Sequence, residues 1–242
     1  MSKIKNNTKK LRTKLRRLDQ ELNFLRKVSE TIISSGYLDD ILQLIITMTA
    51  AVMNSRICSL MLLNESNDHL EIKATQSLSE DYINKPPVKV GAGISGKAVK
   101  TRKPIVVLDV TKSKAYRFPD IAKKEGCKSL LCVPMLIKDR CIGVINSYTS
   151  KEHKFTKEEI KLLQTVANQA AVAIENASLL SRALSLENAL ETRKIVEKAK
   201  GLIMKKDNMG EDEAFKSLQR KAMNSRKSMK EIAEMVLVSY NS

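Results

Sequence analysis

The sequence predicts an α+β protein: an N-terminal helix, an antiparallel sheet with flanking helices, a long coiled-coil helix and a C-terminal three-helix bundle. Three observations predict it. Short apolar runs separated by polar turns occupy residues 57–148, neither Gly nor Pro occurs over residues 156–200, and residues 193–230 carry 12 Lys/Arg against 5 Asp/Glu.

Residues 9–32 place Leu11, Leu15, Leu18, Leu22, Leu25 and, after a slip, Ile32 at alternating intervals of four and three, which predicts a basic coiled-coil helix over residues 1–36. After Gly36 a second helix is expected over residues 37–53. The period then changes. Residues 57–63 and 70–75 read as strands around a polar turn at 64–68. Pro86 and Pro87 mark a loop, residues 90–99 a Gly-rich opening to a short helix, and residues 104–110 a β-rich run. A polar loop at 112–118 and one or two helical turns at 121–125 precede Gly126. Residues 129–137 and 141–148 complete a strand pair around a turn at 138–140. Strands in the middle and helices at both ends predict an antiparallel sheet with helices packed on one face.

Thr156 and Glu159 stand in the S/T-x-x-E arrangement that opens a helix. From there Leu163, Val166, Ala170, Ala173, Ala177, Leu180 and Leu184 hold a three-four alternation, and the seam shifts to Leu186 and Leu190. Unbroken to residue 206, this helix would be about 75 Å long, and that length predicts a parallel dimer. Residues 207–210 form a turn, and Glu211, Asp212 and Glu213 suit the first turn of the next helix. Its expected buried side is Ala214, Phe215, Leu218 and Ala222. Ser228 and Glu231 open a last helix with Met229, Ile232, Met235 and Val236 facing inward. The domains expected are thus a coiled-coil helix at 1–36, an α+β domain at 37–177, a coiled-coil connector at 178–192 and a basic bundle at 193–242.

The formal charge of +16 is uneven. Residues 1–27 contribute +8 and residues 193–230 contribute +7, while residues 28–192 contribute only +3. A basic block beside a nearly neutral body predicts a phosphate-rich partner, nucleic acid or an anionic surface. No apolar run approaches the roughly 20 residues a membrane helix requires, and no apolar h-region follows the basic N-terminus. A cytoplasmic protein is expected, with no membrane partner. Cys58, Cys127, Cys132 and Cys141 lack C-x-x-C spacing and read as small core residues, a redox or metal role for Cys127 and Cys132 staying open. Within residues 193–206, Ile195, Val196, Ala199, Leu202 and Ile203 form one arc, flanked by Arg193 and Lys200 on one side and Lys194, Lys198 and Lys205 on the other.

The string Ala199-Lys200-Gly201-Leu202-Ile203-Met204, then Glu213-Ala214-Phe215, then Arg226-Lys227, resembles the ANTAR domain of transcription antitermination regulators over about 184–238. Upstream, Gly91-Ala92-Gly93-Ile94-Ser95-Gly96, Ser129-Leu130-Leu131-Cys132-Val133-Pro134 and Gly143-Val144-Ile145-Asn146, with Phe155 ahead of a helix, resemble a GAF domain over about 37–177. The resemblance implies a dimeric cytosolic regulator, not an enzyme, that binds paired hairpins in a nascent mRNA leader and prevents a competing terminator. It implies RNA contacts at Arg193, Lys198, Lys200, Arg220, Arg226 and Lys227, with the Arg193 and Lys200 flank the favoured side. It also implies a small-molecule, redox or partner signal at the GAF domain, whose ligand and cofactor the sequence leaves unknown.

Other readings stand beside these. The basic face may be read as merely solvated, and the N-terminal helix as an RNA arm. With Phe215 expected in the core, base stacking should contribute little. Gly201 would let a helix or an RNA backbone come close. Gly91 to Gly96 matches G-x-G-x-x-G, but without a βαβ unit around it a structural turn is expected. His69 and His153 read as lone loop residues. The alternative functions are a GAF-type methionine sulfoxide reductase using two cysteines, and DNA binding by the bundle; the second helix lacks exposed N-terminal Asn or Gln for reading bases.

Overall fold

The structure, a computed structural model, describes residues 38–77 and 79–241; the helix expected over residues 1–36 lies outside them. Two units divide the chain, one ending at Ser178 and one running from Leu179 to Ser242.

In the first unit α1 (Leu38–Met53) is followed by β1 (Ile57–Leu63), β2 (His69–Thr75), α2 (Glu80–Ile83), β3 (Val88–Lys89) and α3 (Gly93–Thr101). Then come β4 (Ile105–Val107), α4 (Pro119–Lys124), β5 (Ser129–Ile137) and β6 (Arg140–Thr149). The six strands form one sheet in the order β3-β2-β1-β6-β5-β4, with every pairing antiparallel. The expected strands are present. The two-residue β3 and four-residue α2 were not anticipated, being too short to show a period.

Helices cover both faces of the sheet, which corrects the one-face expectation. On one face Cys58, Leu60, Leu131, Val133, Met135 and Ile145 pack against α1 and the start of a long helix, α5 (Lys157–Asp207). On the other, Ile57, Met61, Leu130, Cys132, Val144 and Tyr148 pack under α2, α3, α4 and their loops. Successive strand residues point to opposite faces, so a sheet buried on both sides reads as continuous apolar runs. β5 is the clearest, buried from Ser129 through Met135. In β2, Leu70 and Ala74 serve opposite faces because an extra residue, Lys73, enters where the register passes from Leu60↔Ala74 to Met61↔Ile72.

α5 opens as expected: Thr156 N–H donates to Glu159 Oε2 at 2.7 Å and Glu159 N–H to Thr156 Oγ1 at 3.2 Å. Its early seam is used differently. Leu163, Val166, Ala170 and Ala177 are buried against the sheet face and α1 of their own chain, so the small residues serve intramolecular packing. Only from Leu179 onward do leucines stand exposed, Leu180, Leu184, Leu186 and Leu190 among them.

In the second unit the end of α5 joins α6 (Glu211–Ser225) and α7 (Met229–Asn241). The core is Val196, Ala199 and Ile203 from α5, Ala214, Leu218 and Ala222 from α6, and Ile232, Ala233 and Val236 from α7. Ser228 and Glu231 cap α7 reciprocally, at 2.8 and 3.2 Å. Two expectations are corrected: Phe215 is 44% exposed and Met235 is 52% exposed. The stripe Ala214, Leu218, Ala222 is spaced by four, and a bundle of only three helices covers no more of α6 than that stripe.

Candidate functional site

The cations of the second unit fall into two environments. Arg193, Lys198, Arg220, Arg226 and Lys227 are exposed. None of the five has a carboxylate within 4.0 Å among the described residues. Lys227 Nζ lies 3.5 Å from Met235 Sδ, and its charge helps lower the Glu231 pKa from farther away, after the hydrogen bonds from Ser228 that are the main cause. Arg226 ends α6 with φ 53°, a left-handed cap that lets its N–H return to Met223 O at 3.3 Å. Lys227 N–H then bonds Ala222 O at 3.2 Å, so the backbone holds both residues at the α6–α7 corner.

Lys200 is in the second environment. Its side chain is 10% exposed, and Nζ lies 2.6 Å from Glu197 Oε2 and 2.7 Å from Glu211 Oε1. These two carboxylates raise its pKa, and Lys200 in turn lowers that of Glu211. The structure thus separates Lys200 from the exposed cations with which the sequence grouped it. Gly201, next to it, has open space: a Cβ there would meet nothing within 4 Å in this chain.

Phe215 was missed by sequence reasoning as a candidate. It stands exposed on α6, a helix whose Lys216, Arg220 and Lys221 are exposed too. An exposed aromatic ring on a basic helix is a platform for an unpaired base.

The first unit holds a cavity of about 40 Å³, against the roughly 10–15 Å³ one water needs. β1 and β6 supply its floor through Ser59, Met61, Asn146 and Tyr148, while Tyr82, Lys85, Gly93, Ser95 and the 116–118 loop cover it. The sheet places Ser59 opposite Asn146 in the β1–β6 register. Tyr82 OH donates to Ser59 Oγ at 3.0 Å, Asn146 Nδ2 reaches the same oxygen at 3.4 Å, and Ser95 Oγ reaches Asn146 Oδ1 at 3.4 Å. Tyr148 meets Tyr82 and Tyr116 edge to face, each at 6.3 Å, and its hydroxyl is 3.2 Å from that of Tyr116. Burial pushes the Tyr116 phenol up to about 12 and also raises the Tyr82 and Tyr148 phenols well above the ordinary value. All three therefore stay protonated at neutral pH.

The glycine string borders this cavity. Gly91 and Gly93 have φ of +87° and +59°, and a Cβ on Gly96 would collide with Lys89 O, so it is a tight turn leading into α3. The cysteines are free thiols, three of them buried. Burial pushes Cys58 and Cys127 up to about 11 and Cys132 up to about 12. Cys127 lies in a loop rather than a strand. His69 lies in β2 with Nδ1 3.0 Å from Asp68, and His153 Nε2 is 2.9 Å from Glu159. No group of three or more His, Cys, Asp or Glu able to hold a metal occurs among the described residues, and none of their helices is long and apolar enough to cross a membrane.

The GAF domain family profile matches residues 37–175 and that of the ANTAR domain residues 184–237. Among curated relatives, the methyl sulfide methyltransferase-associated sensor of Methanosarcina acetivorans is 28% identical over 171 residues, 69% of this chain. The transcriptional regulatory protein PdtaR of Mycobacterium tuberculosis is 49% identical over 63 residues, 26% of this chain. The matches span 17% and 31% of those proteins' lengths. The fold of the first unit is shared with the GAF domain of a phosphoenolpyruvate-protein phosphotransferase from Coxiella burnetii (TM-score 0.58, 22% identity, 69% of this chain and 98% of that one). It is shared also with free methionine-R-sulfoxide reductase from Neisseria meningitidis (TM-score 0.53, 17% identity, 64% and 89%). With more than half its length matched by the first profile, the chain belongs to the GAF domain family and carries an ANTAR domain behind it.

Proposed function

We propose that this chain is a homodimeric, signal-responsive regulator of transcription that binds paired hairpins in nascent mRNA leaders through its ANTAR bundle. The GAF domain receives a small-molecule signal, and RNA binding keeps a terminator from forming. The observation that carries this reading is the set of five exposed cations without carboxylate partners, Arg193, Lys198, Arg220, Arg226 and Lys227, within the ANTAR match. Cations not neutralised by their own chain are free to displace counterions from phosphate. Lys200 supports them by holding the bundle together. No catalytic step is assigned: the thiols, shifted upward by burial, supply little thiolate at neutral pH, and the likeness to a reductase is one of fold.

The test is retardation of a two-hairpin RNA by the full chain across a salt series, with scrambled RNA and duplex DNA as competitors. A log–log salt slope of about −3 or steeper is expected, with preference for the hairpin pair. Equal competition by scrambled RNA would remove the specific claim, and stronger competition by duplex DNA would turn the reading to DNA.

A further inference from the structure

We propose that the cavity of the GAF domain binds a small monocarboxylate, its carboxylate taken by Lys85 and Arg117 at the start of α3 and its short apolar body set against Met61, Ile72, Tyr82 and Tyr148. This rests on the reading of that domain as the receiver of a small-molecule signal and names the chemistry of the signal.

The cation is the first observation. Lys85 Nζ sits 3.3 Å from the centre of the Tyr82 ring and 5.5 Å from that of Phe118. No carboxylate lies within 4.0 Å of it among the described residues. Glu125, an acid that acts on it from a distance, accepts a hydrogen bond from Ser77 Oγ at 2.9 Å. Asp81, on the same short helix as Tyr82, is paired with Lys124 at 2.6 Å. Arg117 Cζ stands 5.8 Å from the same Phe118 ring, so two cations without carboxylates flank one aromatic side of the cavity. Burial lowers the Lys85 pKa to about 8, the expected response of an ammonium drawn from water with no anion to meet it.

The second observation is the start of α3. No side chain caps it, and Gly93, Ile94 and Ser95 of its first turn line the cavity. Backbone N–H groups at a helix start need acceptors. A carboxylate there would satisfy them and the two cations together.

Size and walls select the ligand within the anions. About 40 Å³ is a few times what one water needs, so a ligand of few non-hydrogen atoms fits without movement of the walls. The remaining surface is apolar or aromatic, from Met61, Ile72, Val88, Ile94 and the tyrosine rings, and suits a chain of two to four carbons. On the floor, Ser59 and Asn146 are buried and joined by a hydrogen bond of 3.4 Å. Polar side chains buried in an apolar layer and loosely bonded to one another can reorient toward a second carboxylate oxygen or a ligand hydroxyl.

Calorimetric titration of the full chain with acetate, propionate and butyrate, each beside its neutral amide, tests this. Quenching of tyrosine fluorescence is a second readout, since the chain has no Trp and three of its five tyrosines line the cavity. At least one acid should bind about tenfold more tightly than its amide. Arg117→Gln, at an exposed position, and Lys85→Gln should each reduce that preference while the thermal melt stays cooperative. Equal binding of acid and amide would overturn the carboxylate and leave a small-molecule site. No binding by any member at millimolar concentration would overturn the inference. Propionate binding by a chain indifferent to hairpin RNA would uphold the inference and overturn the RNA reading.

Discussion

Lys200 Nζ stands 2.7 Å from Glu211 Oε1, so the end of α5 and the first turn of α6 are clipped together across the turn at residues 208–210. Glu197, one turn before Lys200, holds the same ammonium at 2.6 Å. Lys200→Ala removes the shared partner of both acids and should lower the melting temperature of the bundle. Below that melt, RNA affinity should change less than on loss of an exposed cation. Circular dichroism melts paired with RNA titration check this. An unchanged melt with a large loss of RNA affinity would show instead that the amine reaches the RNA.

Arg226 separates charge from backbone. Its φ of 53° is one that glycine adopts without cost, so Arg226→Gly should leave stability unchanged or slightly raised while deleting the charge. Hairpin RNA binding should weaken, and the salt slope should become shallower by about 1. The same slope in wild type and variant would remove Arg226 from the RNA surface. Lys227→Ala should act in the same sense, since its ammonium is exposed and forms no ion pair within 4.0 Å among the described residues.

Some of this was legible in the sequence because it is local. The capping pairs Thr156 with Glu159 and Ser228 with Glu231 are three residues apart, and both form. Alternation marked β2, and two apolar runs around a polar turn marked the β5–β6 hairpin. What the sequence hid depends on distant partners. Lys200 and Glu197 are a visible i, i+3 pair, but Glu211 reaches Lys200 only once the chain has turned, so the burial of Lys200 could not be foreseen. The second helical layer was hidden because strands buried on both faces lose the contrast that tells one face from the other. The cavity was hidden for a related reason: Ser59, Tyr82, Lys85, Arg117 and Asn146 come from separate elements and loops, and no spacing links them. Phe215 was misplaced because it is adjacent to a buried position, Ala214, about 100° away on the wheel.

Phe215→Ala should cost the fold little, because the ring is 44% exposed. If an unpaired loop base stacks on it, RNA affinity should fall by about 5- to 150-fold, the range for stacking worth about 1–3 kcal/mol. Phe215→Tyr should retain most of the binding. Equal affinity of wild type and Phe215→Ala would leave the ring without an RNA role.

The thiols set the alkaline limit of the GAF domain. A thiol raised by burial favours the fold in its protonated form. That contribution is whole below the ordinary 9.0 and is lost as pH rises through about 11 for Cys58 and Cys127 and about 12 for Cys132. Lys85, lowered to about 8 from 10.5, works in the opposite sense, its buried charge disappearing as pH rises between those values. Three thiols outweigh one amine, and the raised tyrosines add to them. The melting temperature should therefore fall by roughly 5 °C or more between pH 8 and pH 10.5, and Cys132→Ala should shrink the fall. In the native chain at neutral pH, a thiol reagent should leave Cys58, Cys127 and Cys132 unreacted. A rise in melting temperature over that interval would contradict the assignment.

The proposed dimer would rest on a shorter segment than the whole length of α5. Leu163 to Ala177 are spent on the chain's own sheet and α1, whereas Leu184, Leu186 and Leu190 are 48%, 71% and 55% exposed. Leucines half or more exposed on one helix gain roughly 1–2 kcal/mol each when fully covered, and a second copy of the same helix supplies a matching apolar surface. Leu184→Glu with Leu190→Glu should leave the melt of the GAF domain unchanged, because neither residue is in its core. In sedimentation velocity the double variant should run as a monomer, and it should bind a single hairpin about as well as wild type does while losing the preference for a hairpin pair. A double variant that still sediments as a dimer would move the interface away from these leucines.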